Sequence, residues 1–451
     1  MRQLNMNEIN NYYKNLIEND FEQNKRSHIN SKEYLKNSTA RYHGETIYSL
    51  FMPKIFPQNL VDTLNDTVKT MYSILTKVIK EYLINEEYRK LFGFDKRLEE
   101  LILIDRGYES VLPICRLDIF LNEEDLSFKF CEFNADGTSS MNEDRELNIA
   151  LTHTTAYQKL TDEYELATFE LFDSWIHEFM QIYATYKNKV EKPHIGIVDF
   201  LEKGSSLEEF NQFRKSFEKA GFTCEVCEIR ELRYNDHVLY SPTGKKLDAI
   251  YRRAVTSDIM ENLNDVSHFI QAVEEKNICL IGSFCTQIIH NKILFKLLYD
   301  KRTQCFLSDH EKQFIKSHIP YTVRLSGNEC DIEEIIKNKD KWIIKPEDSY
   351  GARGVYAGIN HDSTEWNKVV HNNEDNHYLV QEFIMPYQSE NIDFNLSEPK
   401  FTKYSNLTGL YVYNGKLKGI YSRQSNKEII STQYDENVIA SLIIKNKKET
   451  V

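Results

Sequence analysis

The stretch PICRLDIFLNEEDLSFKFCEFNADG, residues 113–137, constrains the fold more than any other part of the chain. Two runs that alternate apolar and polar residues flank the polar segment NEEDLS, the pattern of a β-hairpin. Strand residues two apart share a face, so Arg116 points the same way as Asp118, and Glu132 the same way as Asn134. With the turn centred near Asp125, Arg116 faces Asn134 and Asp118 faces Glu132. Directly opposed side chains lie roughly 4.5–5.5 Å apart at Cβ. One face of the hairpin then carries two carboxylates, an amide and a guanidinium. Opposed carboxylates repel. A hard cation relieves this through the carboxylate and amide oxygens that magnesium accepts, and the guanidinium can grip a phosphate in bidentate fashion. A solvent-facing strand edge with an arginine–carboxylate network fits the same pattern, and a one-residue slip would undo the arrangement.

Five further segments add polar groups at the ends of regular elements. In KWIIKPEDSYGARGVYAGI (341–359) an apolar strand ends at Lys345, and a loop with Gly351, Ala352, Arg353 and Gly354 follows. An ammonium beside a glycine loop can hold phosphates while backbone N–H groups approach the same oxygens. The P-loop pattern is absent, and a plain β-turn is the ordinary reading of such a GxxG taken alone. YLVQEFIMP (378–386) is an apolar strand carrying Gln381 and Glu382, able to receive a base and ribose. Lys292 opens the helical run after IIHN, and Arg423 follows a late strand in GIYSRQSNKEIIS. Arg252 and Arg253, ending DAIYRRAV, suit either a clamp on a substrate carboxylate or structural ion pairs.

The surrounding pattern is mixed α/β. Residues 1–60 read as helices ending near Pro53 and Pro57, and residues 59–91 as one long amphipathic helix. Residues 143–190 are helical, and residues 194–290 alternate strands with helices, which argues a parallel sheet. Residues 291–325 are helical, and short strands dominate from 340 onward. A chain of 451 residues is long enough for several packed subdomains. The expected division is a helical N-terminal region (1–100), a metal-binding hairpin with helices (101–190), an α/β subdomain (191–290) and a nucleotide-binding part (291–451).

The formal net charge of -13 opposes general nucleic-acid binding but leaves room for a local basic pocket. No apolar run reaches bilayer-spanning length, and the polar N-terminus lacks a signal core, so a cytoplasmic protein without membrane partners is expected. The eight Cys are scattered. Cys224 and Cys227 form a lone CxxC, which lacks the second pair that a zinc site needs and reads as two partly buried thiols.

Together these segments resemble the synthetase part of glutathionylspermidine synthase and its relatives, the circularly permuted ATP-grasp ligases, over roughly residues 110–430. In unpermuted ATP-grasp enzymes the E-x-N strand follows the two lysines, whereas here it precedes them. The resemblance implies a circularly permuted ATP-grasp fold with a pre-ATP-grasp α/β subdomain. It implies Mg2+ at Asp118, Glu132 and Asn134, and ATP phosphates at Lys292 and Lys345 under a lid of residues 351–354. Gln381 and Glu382 would line an adenine pocket, Arg116 would contact the transferred phosphoryl group or the acyl-phosphate, and Arg423 would match a late phosphate-binding arginine of the family. The implied reaction is ATP-dependent carbon–nitrogen ligation of a carboxylate and an amine through an acyl-phosphate. A small-molecule kinase or a non-catalytic nucleotide-binding protein are the alternatives on the same scaffold. The N-terminal amidase domain that the family's bifunctional members carry is not expected among these residues. GTSSMNED also stands where relatives often have a Pro-containing turn, in a segment that would lie near the acyl acceptor, so the resemblance does not carry glutathione or spermidine over as substrates.

Overall fold

The computed structural model describes residues 5–42, 44–201, 206–349, 351–430 and 436–448. Its largest sheet has six antiparallel strands. The path runs Asn437–Ile439, Lys416–Ser425, Phe401–Tyr413, Ile114–Leu121, Phe128–Asn134, with Gln388–Ile392 added beside Phe401–Tyr413. An early hairpin is thus seated on late strands, with Tyr411 paired to Arg116 and Gly409 to Asp118. Alternate residues Cys115, Leu117, Ile119 and Leu121 enter one core. The helix Gln58–Ile84 contributes Leu60, Leu64, Val68, Met71 and Leu75 to the same core, at helical spacing. Fully burying each such aliphatic side chain is worth about 1.5–3 kcal/mol, which is ample reason for the hairpin's other face to be left to polar residues.

A second sheet is parallel, in the order Cys279–Ile281, Ala249–Arg252, His194–Asp199, Thr223–Glu228. This is the sheet expected from the alternation over 194–290. Cys224 and Cys227 sit on its edge strand, and three residues of separation send them to opposite cores. They are two buried free thiols with different neighbours. A third sheet, Thr322–Arg324, Tyr378–Glu382, Trp342–Pro346, Tyr356–Ala357, is antiparallel and packs Ile344 and Val380 against Ile335, Trp366 and Val370.

Several elements depart from the sequence reading. The long helix stops at Ile84, because Asn85 is extended (φ -116°) and its side chain caps the next turn by accepting from Tyr88 N. Among the described residues, 41, 42 and 44–57 are not helical. Lys54–Pro57 is a strand parallel to Ser441–Lys447, which also pairs with Tyr164–Thr168 inside the stretch read as helical. Both strands exist only through partners hundreds of residues away, and local propensity carries no trace of that. The helix Ser363–Asn373, within a region read as strands, announces itself by a capping box between Asp362 and Glu365. Among the described residues no helix is long and apolar enough to cross a membrane.

Candidate active site

The hairpin pairs Arg116 with Asn134 and Asp118 with Glu132, the register expected from the sequence. Beyond Asp118 the register shifts, pairing Ile119 with Phe130 and leaving Cys131 as an extra residue. Such a bulge resets the alternation. Phe130 therefore turns into the core, its ring 5.3 Å from that of Phe133, instead of joining the face of Glu132. Cys131 lines a cleft, and its carbonyl lies 3.5 Å from Lys345 Nζ.

Four cationic side chains from separate segments gather here. Arg116 grips Asp118 twice, Nε to Oδ1 at 2.7 Å and Nη2 to Oδ2 at 3.1 Å. Its Nη1 donates to Ser139 O at 3.1 Å. Arg423 donates to Asp118 Oδ2 at 2.6 Å and to Glu436 Oε2 at 3.2 Å. Asn134 Nδ2 reaches Asp118 Oδ2 and Glu132 Oε1, each at 3.2 Å. Lys292 donates to Ser349 O at 2.5 Å. Lys345 donates to Gln381 Oε1 at 2.9 Å, and Gln381 Nε2 continues to Thr322 Oγ1 at 2.8 Å. The cleft between these groups has a volume of about 300 Å3, at the lower end of the range for small-molecule sites.

Not every expected residue faces that cleft. Arg116, Glu132, Asn134, Lys292, Lys345, Gln381, Glu382 and Arg423 line it, as do Gly351 and Ala352 of the loop. Asp118 is fully buried behind Arg116 and Asn134 and is not part of the lining. Arg353 is exposed and Gly354 lies outside the lining. Gly354 has φ +70°, and a Cβ there would sit 2.8 Å from Tyr378 Oη. The repulsion between Asp118 and Glu132 is relieved by the two guanidinium groups themselves. Burial pushes the Asp118 carboxyl above the usual range, against the pull of Arg116 and Arg423. Burial also works against ionisation of Glu132, yet Lys292, Arg423 and Arg116 hold its carboxyl down to about 2. The Lys292 ammonium is lowered by burial, against the attraction of Glu132.

Arg252 and Arg253 lie behind this site. Arg252 pairs with Asp136 and donates to Ala254 O at 2.7 Å, Thr286 Oγ1 at 3.2 Å and Gly282 O. Arg253 pairs with Glu209 at 2.8 Å and bonds Thr138 O. Both are structural ion pairs that hold the loop of residues 136–140.

The sequence reading passed over three groups. Gly409, opposite Asp118, leaves room for the Arg116–Asp118 pair: a Cβ would stand 2.7 Å from Arg116 Cδ and 2.9 Å from Asp118 Oδ1. A glycine inside the apolar strand LTGLYVY was the available signal. Glu436, the partner of Arg423, has no local signature. His290 lines the cleft two residues before Lys292.

A hairpin bearing the acid–amide pair, a lysine strand with its glycine loop and an appended parallel sheet make up the fold of an ATP-grasp synthetase in circularly permuted order. The chain belongs to the family described as glutathionylspermidine synthase preATP-grasp, which it matches over residues 22–434. Among solved structures, a glutathione synthetase-like effector from Globodera pallida, in its apo form, has a TM-score of 0.61 at 11% identity, over 92% of this chain and 96% of that one. That likeness is one of fold. A protein assigned as a gamma-glutamylcysteine synthetase from Methylobacillus flagellatus KT has a TM-score of 0.40 at 9% identity, over 83% of this chain and 85% of that one. Among curated proteins none matches. Family membership supports a ligase-type function.

Proposed function

We propose that the chain is an ATP- and magnesium-dependent carboxylate–amine ligase that works through an acyl-phosphate and releases ADP and phosphate. The observation that carries this reading is the convergence of Arg116, Lys292, Lys345 and Arg423 on one cleft beside Glu132 and Asn134. Arg116 and Arg423 are paired there with Asp118 and Glu436, while Lys292 and Lys345 donate to Ser349 O and Gln381 Oε1. Four cationic side chains gathered at one place in a chain of net charge -13 give a polyphosphate local partners of opposite sign.

The donor set fits magnesium. Among the described residues no donor is placed on Glu132 Oε2 or Asn134 Oδ1, and the Glu132 carboxylate stays ionised. No group of three or more His, Cys, Asp or Glu among the described residues is arranged to hold a metal unaided. Glu132 and Asn134 would therefore hold the ion together with phosphate oxygens and waters, as magnesium prefers. Asp118 would join by exchanging a hydrogen bond from a guanidinium. The ion's chemistry is to draw charge from the phosphoryl oxygens.

Lys292 and Lys345 hold the ATP phosphates, and Arg116 and Arg423 neutralise charge on the transferred phosphoryl group. Ile343, Val355, Phe383 and Ile429 supply an apolar slot for the base, with Gln381 and Glu382 at its edge. A substrate carboxylate attacks the γ-phosphorus, and ADP leaves. An amine then attacks the acyl carbon, and phosphate leaves. Burying both reactants in one cleft supplies proximity and shields the acyl-phosphate from water. Both substrates are small molecules or peptides, and the reaction is placed in the cytoplasm.

The test is magnesium-dependent ADP release against a panel of carboxylates, glutathione first, each with and without amines, spermidine first. Release that needs both acid and amine and vanishes in Lys345→Ala and Asp118→Ala is the expected result. A stable phosphorylated product formed without an amine would replace the ligase by a kinase.

A further inference from the structure

Resting on the ligase reading above, we propose that His290 accepts the proton that the attacking amine sheds. His290 ends the helix Gln287–His290 and lines the cleft on the side of Asp136, Gly137, Thr138 and Val255, beyond Lys292. Among the described residues neither ring nitrogen has a hydrogen-bond partner. Nδ1 is buried and unpaired, so the ring edge open to the cleft carries Nε2. Buried polar side chains with a structural role are ordinarily paired. Arg252, Asp136 and Gln287 close by each hold such bonds, and His290 does not.

The other groups that could accept a proton along the cleft are committed. Asp136 is held by Arg252 and by Thr256 N. Glu436 is held by Arg423. Glu132, at about 2, is too weak a base. Burial raises the Cys131 thiol to about 12, so it keeps its own proton. Glu428 stands beside Ile429, which packs with Ala352 and Phe383 on the nucleotide side, and Glu382 is on that side too. The charged groups that face His290 are Asp136, Lys292, Asp348 and Glu132. Burial outweighs the attraction of Asp136 and lowers the ring's affinity for a proton, so the imidazole is neutral and able to accept one.

In the step, the incoming alkylammonium passes a proton to Nε2, and the lone pair so freed forms a C–N bond to the acyl carbon of the acyl-phosphate. The C–O bond to phosphate breaks, phosphate leaves with the electron pair, and the extra proton on the new amide nitrogen goes to the departing phosphate. The imidazolium then returns its proton to phosphate or solvent.

The full chain is assayed with MgATP and glutathione as the probe acid, using two acceptors. Spermidine is a protonated alkylamine near neutral pH, and hydroxylamine is mostly unprotonated and needs no base. His290→Gln should lower amide formation with spermidine about 100-fold, leave hydroxamate formation within a few-fold of wild type, and regain the spermidine rate as pH rises. An equal fall with both acceptors overturns the role. Wild type that forms neither product with glutathione or with any other carboxylate of the panel sinks the ligase reading itself, a different failure. Should the variant not fold, diethyl pyrocarbonate on wild type decides. His290 is expected to be carbethoxylated in the intact protein, and an unmodified His290 under conditions that label the exposed His237 overturns the assignment.

Discussion

Arg116 and Arg423 line the cleft with side chains 8% and 11% exposed, whereas Arg252 and Arg253, behind the same loop, are each 2% exposed. All four are paired with carboxylates and stacked near aromatic rings. The difference lies in where their remaining N–H groups go. Arg252 and Arg253 direct theirs mainly to backbone carbonyls and hydroxyls: Ala254, Gly282, Ser283, Thr138 and Tyr251. Arg116 has a single backbone acceptor, Ser139 O, and Arg423 is held by two carboxylates. A guanidinium whose bonds end on the main chain fixes shape. One whose bonds end on carboxylates beside a cleft can exchange them for a phosphate.

Substitution in the two pairs should therefore separate activity from stability. Arg423→Gln is expected to lower ligation about 100- to 1000-fold, the usual cost of removing one preorganised group from developing charge, with a folded protein remaining. Arg252→Gln leaves Asp136 buried without its counter-charge, which costs about 3–5 kcal/mol, while the surviving folded fraction keeps its turnover. Steady-state kinetics beside urea melts read both quantities. Comparable activity losses per folded molecule in the two variants would erase the distinction. Within the cleft-facing group, Glu132→Gln should raise the magnesium needed for half-maximal rate at least 10-fold, a change of the size seen when even outer-shell metal contacts are lost. A magnesium titration at saturating ATP checks this, and an unchanged midpoint would remove Glu132 from the ion.

The hairpin was legible because its chemistry is local: Arg116, Asp118, Glu132 and Asn134 follow from strand alternation and one turn position, and the register agrees. The bulge at Cys131 was not, since it answers to the core's demand for Phe130. The parallel sheet over 194–290 was legible from alternating elements. The strands Lys54–Pro57 and Tyr164–Thr168 were not, because Ser441–Lys447 creates them from the far end of the chain. The division between the arginine pairs was illegible for the same reason, as Arg252 meets Asp136 only after folding. Gly409 marks the boundary between the two cases. Its absent side chain is visible in the sequence, but its purpose appears only once Asp118 is placed opposite. Gly409→Ala should force the Arg116–Asp118 pair aside, costing about 1–3 kcal/mol by overpacking and lowering turnover through the displaced guanidinium. Denaturant midpoints with parallel rates test this, and full activity would show that the pair tolerates displacement.

The smallest expected effect extends the comparison to two buried glutamates. Glu132, on the cleft side, is held down to about 2 against its burial by Lys292, Arg423 and Arg116. Glu143, behind the loop with Arg253 and Glu209, is pushed up to about 8 by burial and then by Glu209. Linkage gives the two opposite signs. Glu132 contributes stability that is present above the unfolded value near 4.5 and is lost as pH falls toward 2. Glu143 contributes stability that is present below 4.5 and is lost as pH rises through about 8, because the folded state keeps a proton that the unfolded chain releases. Glu143→Gln mimics the protonated form and removes that loss. Its Tm should match wild type in acid and exceed it by roughly a few degrees at alkaline pH. Thermal melts of both proteins near pH 5 and near pH 8 decide the matter. A difference of the same size at both would mean that Glu143 titrates normally, and that the ground behind the loop is no more hostile to charge than the cleft in front of it.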